Sequence, residues 1–195
     1  MADGNSPLRL SAQEFLAWEE QQETKHELVG GKVYGMAGAK KRHERIKGNI
    51  YYDVRSKLPA NGPCEPFGSD IKVAIPNGNY RYPDLVIDCG QSKDIDTVFA
   101  ETPTVIFEIL SPSNRWYDRA NKIADYQLLT ACRHIVIVWS TAARIEVLSR
   151  TDDQSWAHRA EVYEGRDAQL VLPALNIKVP LEDVYRGFAD TDLPD

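Results

Sequence analysis

The sequence predicts an α/β protein of α+β-like character, a mixed central sheet flanked by helices with extra antiparallel strands on the C-terminal side. Three observations carry that prediction. A strand-like run, Thr104-Val105-Ile106-Phe107-Glu108-Ile109-Leu110, precedes a turn signal, a helical pattern over 116–129 and a second apolar run, Ile135-Val136-Ile137-Val138-Trp139. That order is the βαβ signature of a parallel or mixed sheet. Gly30-Gly31 and Asn77-Gly78 separate short strand-like runs earlier in the chain, as hairpins require. Segments 144–148 and 156–163 alternate apolar and polar residues, the pattern of antiparallel additions.

Each element has its own local reason. Ser11-Ala12-Gln13-Glu14 has the form of a capping box, and Phe15, Leu16 and Trp18 follow it, so a helix is expected over 12–22. Residues 25–36 read as a hairpin across Gly30-Gly31, with Glu27 just before the turn. Ile46, Ile50, Val54 and Leu58 recur every fourth residue and mark a second helix over 41–58. Its first turns carry Lys40, Lys41, Arg42, His43, Arg45 and Lys47, and positive charge there opposes the helix dipole. The cluster is either a solvated face or a phosphate-contacting one. Residues 59–63, rich in Pro and Gly, end that helix. Strands are expected over 71–75 and 84–88, joined as a hairpin by Asn77-Gly78, with Pro83 at the first position of the second strand. A polar, exposed segment over 90–102 leads into the Glu108 strand. Thr151-Asp152-Asp153-Gln154 forms a turn, 170–172 a short strand, 180–185 a short helix, and 190–195 a frayed acidic end.

At 195 residues the chain suits a single domain, with an ordered core over about 11–187. Its 43% hydrophobic and 27% charged content is that of a soluble globular protein. No apolar run approaches the ~20 residues of a membrane span, and the N-terminus lacks a signal peptide's basic and apolar regions, so the expected compartment is the cytoplasm. Cys64, Cys89 and Cys132 are odd in number, widely spaced and without a C-x-x-C pair. They read as reduced thiols rather than as disulfide or zinc ligands. His26, His43, His134 and His158 show no zinc-binding spacing either. A formal charge of −6 argues against broad binding to nucleic acid, which needs phosphate neutralisation, but leaves room for a local basic face at Lys41, Arg42 and His43.

Two acids stand in apolar strands, Asp84 in Tyr82-Pro83-Asp84-Leu85-Val86-Ile87 and Glu108 in the run above. A buried carboxylate must be paired, protonated or metal-bound. On neighbouring strands, ~5 Å apart, the two would repel unless a cation lay between them. Mg²⁺ or Mn²⁺ suits two hard carboxylates, and such an ion assists phosphoryl chemistry. Lys122, in the helix after the Glu108 strand, is the cation able to reach back toward the site. Its competing reading is a surface pair with Asp118, four residues earlier.

Pro83-Asp84, Glu108 and a nearby lysine resemble the PD-(D/E)XK nuclease superfamily. More closely, residues 27–34, Arg42-His43, Tyr82-Pro83-Asp84, residues 108–113, Tyr117-Asp118-Arg119, Lys122 and Tyr126 resemble the Uma family of putative restriction endonucleases. The similarity covers about 11–185. It implies a restriction-endonuclease-like mixed sheet with Asp84 and Glu108 as metal ligands and a catalytic lysine. The superfamily pattern expects that lysine two residues after Glu108, where this chain has Leu110, so its role passes to Lys122. Glu27 resembles an additional acid that some members contribute from an N-terminal element. Asp70 is a weaker member of the set, explained more simply by turn capping.

The function expected on these grounds is a Mg²⁺- or Mn²⁺-dependent endonuclease acting on DNA. A homodimer would supply a second active site for the second strand. The competing readings are a catalytically degenerate nuclease fold that binds nucleic acid or protein, and a metal-free hydrolase using two carboxylates as acid and base.

Overall fold

The computed structural model describes residues 8–90, 94–110 and 116–193, and of 116–118 the backbone. The turn signal at 111–114 and the side chains of Tyr117 and Asp118 lie outside the described residues. Helix α1 (Ala12–Glu19) opens on a complete capping box, with Ser11 N donating to the Glu14 carboxylate at 2.8 Å. Strands β1 (His26–Val29) and β2 (Lys32–Gly35) form the expected hairpin, and Gly30 and Gly31 supply the positive φ of its turn. Helix α2 (Lys41–Lys57) buries Ile46, Ile50 and Val54. Then come β3 (Glu65–Gly68), β4 (Val73–Ala74), β5 (Tyr80–Arg81), β6 (Leu85–Asp88), β7 (Pro103–Leu110), α3 (Trp116–Gln127), β8 (His134–Trp139), β9 (Arg144–Ser149), β10 (Glu161–Glu164), β11 (Gln169–Leu172), β12 (Ile177–Pro180) and α4 (Leu181–Val184).

The central sheet is mixed and six-stranded, in the order β10-β9-β8-β7-β6-β3. Its parallel pair is β7 and β8, joined across α3 as the βαβ pattern predicts. Strands β9 and β10 add antiparallel at one edge. A smaller sheet, β2-β1-β5-β4, and the β11–β12 hairpin complete the strands. One face of the central sheet presents Leu85, Ile87, Val105, Phe107, Val136 and Val138 to α2, α4 and the β11–β12 hairpin. The other face, with Val86, Ile106, Ile135 and Ile137, packs against Tyr126 and Ile123 of α3 and Val73 of β4. Alternation along β7 therefore sends Ile106 and Glu108 to the α3 side. Among the described residues no helix is long and apolar enough to cross a membrane.

Three expectations need correction. The Asn77-Gly78 hairpin joins β4 to β5, while β6 pairs with β3 on one side and β7 on the other. Pro83, between β5 and β6, has no N–H for a ladder and separates the two sheets. Of the acidic end expected to fray over 190–195, the described part is tied down as far as Leu193, which is buried, and Arg42 donates to Asp192 O at 2.7 Å; residues 194–195 lie outside the described residues.

The third correction concerns the cysteines. Cys64 and Cys89 form a disulfide, and Cys132 is the free, buried thiol. Antiparallel pairing of Glu65 with Asp88 brings the two flanking residues face to face, a proximity that 25 residues of sequence conceal. Thiol titration of the unreduced, denatured protein is expected to find one free thiol per chain. A count of three would mean that the bridge does not form in solution.

Candidate active site

Leu85 of β6 lies opposite Phe107 of β7, so continuing the register places Asp84 opposite Glu108. Both acids fall on the α3 side of the sheet. Glu108 is only 8% exposed. Asp84 Oδ2 accepts from Ile109 N at 2.7 Å and lies 3.0 Å from His43 Nε2 on α2.

Helix α3 returns over this face and presents Lys122 and Tyr126, four residues apart and hence on one side of the helix. Lys122 Nζ is 3.1 Å from both carboxylate oxygens of Glu108 and 3.4 Å from Glu27 Oε1. Tyr126 OH donates to Glu108 Oε1 at 2.6 Å. The structure thus brings Glu27, Asp84, Glu108 and Lys122 into one constellation drawn from β1, the entry to β6, β7 and α3.

Behind it lies a buried network that sequence reasoning missed. Pairing of Leu28 with Tyr80 sets Glu27 against Arg81 across the small sheet. Arg81, 2% exposed, donates from Nη1 to Glu27 Oε2 at 2.9 Å and from Nε to Asp125 Oδ2 at 2.7 Å. Asp125 also accepts from Asn77 Nδ2 at 2.9 Å and from Asn79 Nδ2 at 2.9 and 3.0 Å. Tyr82 N donates to Glu27 Oε1 at 3.1 Å, and Tyr82 OH to Glu19 Oε1 at 3.0 Å. The available signal was an arginine between two tyrosines, directly before the Pro83-Asp84 pair.

The charges respond to this packing. Burial pushes the Glu108 carboxyl up to about 7; Lys122 and Tyr126 oppose the rise, and Asp84 and Glu27 add to it. Burial also works against ionised Asp84, but the hydrogen bond and charge of His43 and the Ile109 N–H outweigh it, and its pKa lies below the ordinary carboxylate value. His43 moves the opposite way: burial opposes the imidazolium, Asp84 favours it, and the pKa is raised. Burial likewise opposes the Lys122 ammonium, yet Glu108, Glu27 and Asp84 hold its pKa above the usual lysine range. Lys122 is therefore a fixed cation at neutral pH.

The basic residues at the start of α2 have separate fates. Lys41 is exposed. Arg42 donates to Ser140 O at 2.9 Å and to Asp192 O, with its guanidinium over the Phe188 ring. His43 turns inward to Asp84. Asp70 is 89% exposed and pairs with Lys25 at 2.7 Å, apart from the constellation.

Residues 12–182 match the family model Uma2, described as a putative restriction endonuclease. The chain belongs to the Uma2 family. This Uma2 member is 33% identical over 182 residues to the uncharacterized protein slr1290 of Synechocystis sp. (strain ATCC 27184 / PCC 6803 / Kazusa), covering 93% of this chain and 94% of that one. A second uncharacterized protein of that organism, sll1609, is 27% identical over 150 residues, or 75% and 84% of the two chains. Among solved structures, the Uma2 fold matches a putative nuclease belonging to DUF820 from Anabaena variabilis ATCC 29413. The TM-score is 0.74 at 14% identity, over 90% of this chain and 97% of that one. At that identity the likeness is one of fold, and it is the restriction-endonuclease-like mixed sheet that the sequence predicts.

Proposed function

We propose that this Uma2 member is a divalent-metal-dependent endonuclease hydrolysing DNA phosphodiester bonds, with Asp84 and Glu108 as the metal ligands. The observation that carries the reading is the pairing of these carboxylates on adjacent strands beside an ammonium 3.1 Å from one of them. Their donor set fits Mg²⁺ or Mn²⁺, hard ions held by one or two carboxylates with several waters retained. A divalent cation bound there would polarise a phosphoryl oxygen and make a bound water more acidic.

The chain's own groups divide the remaining work. Lys122, permanently charged, offsets charge developing on the phosphate and orients an attacking oxygen; it is no general base. Burial and the charge of Glu108 keep the Tyr126 hydroxyl protonated, so it stays a donor that fixes the Glu108 carboxylate. His43 and the Ile109 N–H hold Asp84 ionised and oriented. Glu27 shares the Lys122 ammonium with Glu108. The reading as a degenerate binding module rests on Leu110 and on the net charge of −6; against its first ground, Lys122 beside Glu108 offers the cation that position 110 does not.

Supercoiled plasmid incubated with the protein and Mn²⁺ or Mg²⁺ is expected to be nicked or linearised, and EDTA to stop the reaction. Asp84→Asn should fold normally and be inactive. Because a cation binds ionised Glu108, cleavage at limiting metal should climb as pH rises through about 7, falling about tenfold per pH unit on the acidic side. Saturating metal should move that midpoint to lower pH. Cleavage that ignores EDTA, or parent-like cutting by Asp84→Asn, overturns the proposal.

A further inference from the structure

In this chain the working ammonium sits on a helix, and that placement has a mechanical consequence. A lysine on β7 would be aimed by the sheet's hydrogen-bond ladder. On α3 its aim depends on the rotation and slide of a whole helix, each residue of which advances 1.5 Å and turns through about a quarter of a circle. The apolar contacts of Ile123 and Tyr126 with the sheet hold α3 down, but burial of this kind is non-directional. Directional restraint has to come from polar contacts.

We propose that Asp125, clamped by Asn77, Asn79 and Arg81, is the positioning residue that sets the register of α3 and thereby aims Lys122 at Glu108. This inference rests on the nuclease reading above and goes beyond it. Lys122, Asp125 and Tyr126 stand at i, i+3 and i+4, so fixing the middle residue fixes the aim of its neighbours. The four contacts on the Asp125 carboxylate, at 2.7 to 3.0 Å, all come from the turn and strand of the β4–β5 hairpin. The hairpin is itself braced, since Gly30 N donates to Asn79 Oδ1 at 2.8 Å and Asn79 N to Asn77 Oδ1 at 3.0 Å. Arg81 then closes a ring of contacts: Lys122 to Glu27 at 3.4 Å, Glu27 to Arg81, Arg81 to Asp125, and Asp125 back along one helical turn to Lys122. Asp125 touches neither of the proposed ligands, Asp84 and Glu108, nor, by any contact above, the Lys122 ammonium, so its effect passes through helix geometry.

The test uses the full chain, with Asp125→Asn as the main variant and Asn77→Ala, at an exposed turn, as the milder one. An asparagine keeps the shape but confronts the donors of Asn77, Asn79 and Arg81 with an amide that cannot accept them all. Folded Asp125→Asn is expected to lose kcat on the order of 10- to 100-fold, the scale of a misplacement remote from the chemistry. KM for DNA and the apparent Mn²⁺ constant should stay near the parent's, and Asn77→Ala should fall between. Hydrogen exchange, which needs no activity, should quicken in α3 and stay unchanged in α2. Parent-like kcat and α3 exchange in both folded variants overturn the proposal, as does exchange that quickens throughout the chain with KM rising in step. Should the parent itself cut no DNA, the nuclease reading fails, and α3 exchange alone decides the clamp: local quickening supports it, unchanged exchange refutes it.

Discussion

Glu108→Gln is expected to fold, to lose cleavage by roughly a thousandfold or more, and to be relatively more stable than the parent above neutral pH. On the proposed function the loss follows from removing one of two ligand carboxylates, since the charge stabilisation at such a site is worth several kcal/mol at the transition state. The fold survives because a glutamine oxygen still accepts from Lys122 and Tyr126, the two donors within 3.1 Å of Glu108. The stability change follows from linkage. Burial raises the Glu108 carboxyl from the ordinary 4.5 to about 7. Between those values the folded metal-free protein holds a proton that the unfolded chain has released. The stability this proton confers is whole below pH 4.5 and lost as pH rises through about 7. The variant lacks this term, so the difference in urea midpoint, parent minus variant, should shrink between pH 5 and pH 8. A difference that stays flat would show that Glu108 does not titrate in this window.

The acids of the site were legible in the sequence for the same reason they are consequential: a charge in a continuous apolar strand is an anomaly with few physical explanations. Glu108 and Asp84 could be singled out that way; Lys122, whose place in the helix fits a surface pair with Asp118 as well, is singled out only through the family resemblance. Arg81 and Asp125 could not. The tyrosines around Arg81 mark it as unusual but name no partner, Asp125 sits in an ordinary helical run, and their significance arises when the β4–β5 hairpin and α3 meet, an encounter between residues 44 apart. The same non-locality hid β3. Glu65-Pro66-Phe67-Gly68 has neither β-branched residues nor alternation, yet an edge strand needs only one ladder and tolerates its proline. Without β3 as a partner, the nearest turn offers β6 its most local pairing, and nothing in the sequence brings Cys64 to Cys89. The basic cluster of α2 shows the opposite limit. Five cations and a histidine look like one feature, but helical geometry sends Arg42 to the C-terminal segment and His43 to Asp84.

Arg81→Met should be the most destabilising single change in the site region, by about 3–5 kcal/mol, the usual result of stripping the partner from buried charges. Burial works against the Arg81 guanidinium, but Glu27 and Asp125 outweigh it and hold it ionised above its ordinary pKa. Methionine fills most of the volume, so lost packing is a small part of the effect. What remains is two buried carboxylates with their shared counter-ion gone. Glu27 keeps Lys122 and the Tyr82 N–H, and Asp125 keeps the two asparagine amides, but none of these replaces the bridge between them. A melting temperature lower by roughly 10 °C is expected for a chain of this size. The origin of the loss can be isolated by a double-mutant cycle. If Arg81→Met hurts chiefly by orphaning a carboxylate, adding Asp125→Asn should cost much less than it does in the parent, with a coupling of roughly 0.5–3 kcal/mol. Additivity within about 0.5 kcal/mol would mean that the two side chains act independently. Arg81 would then serve as core filling, and the ring through Glu27 to Lys122 would carry no mechanical load.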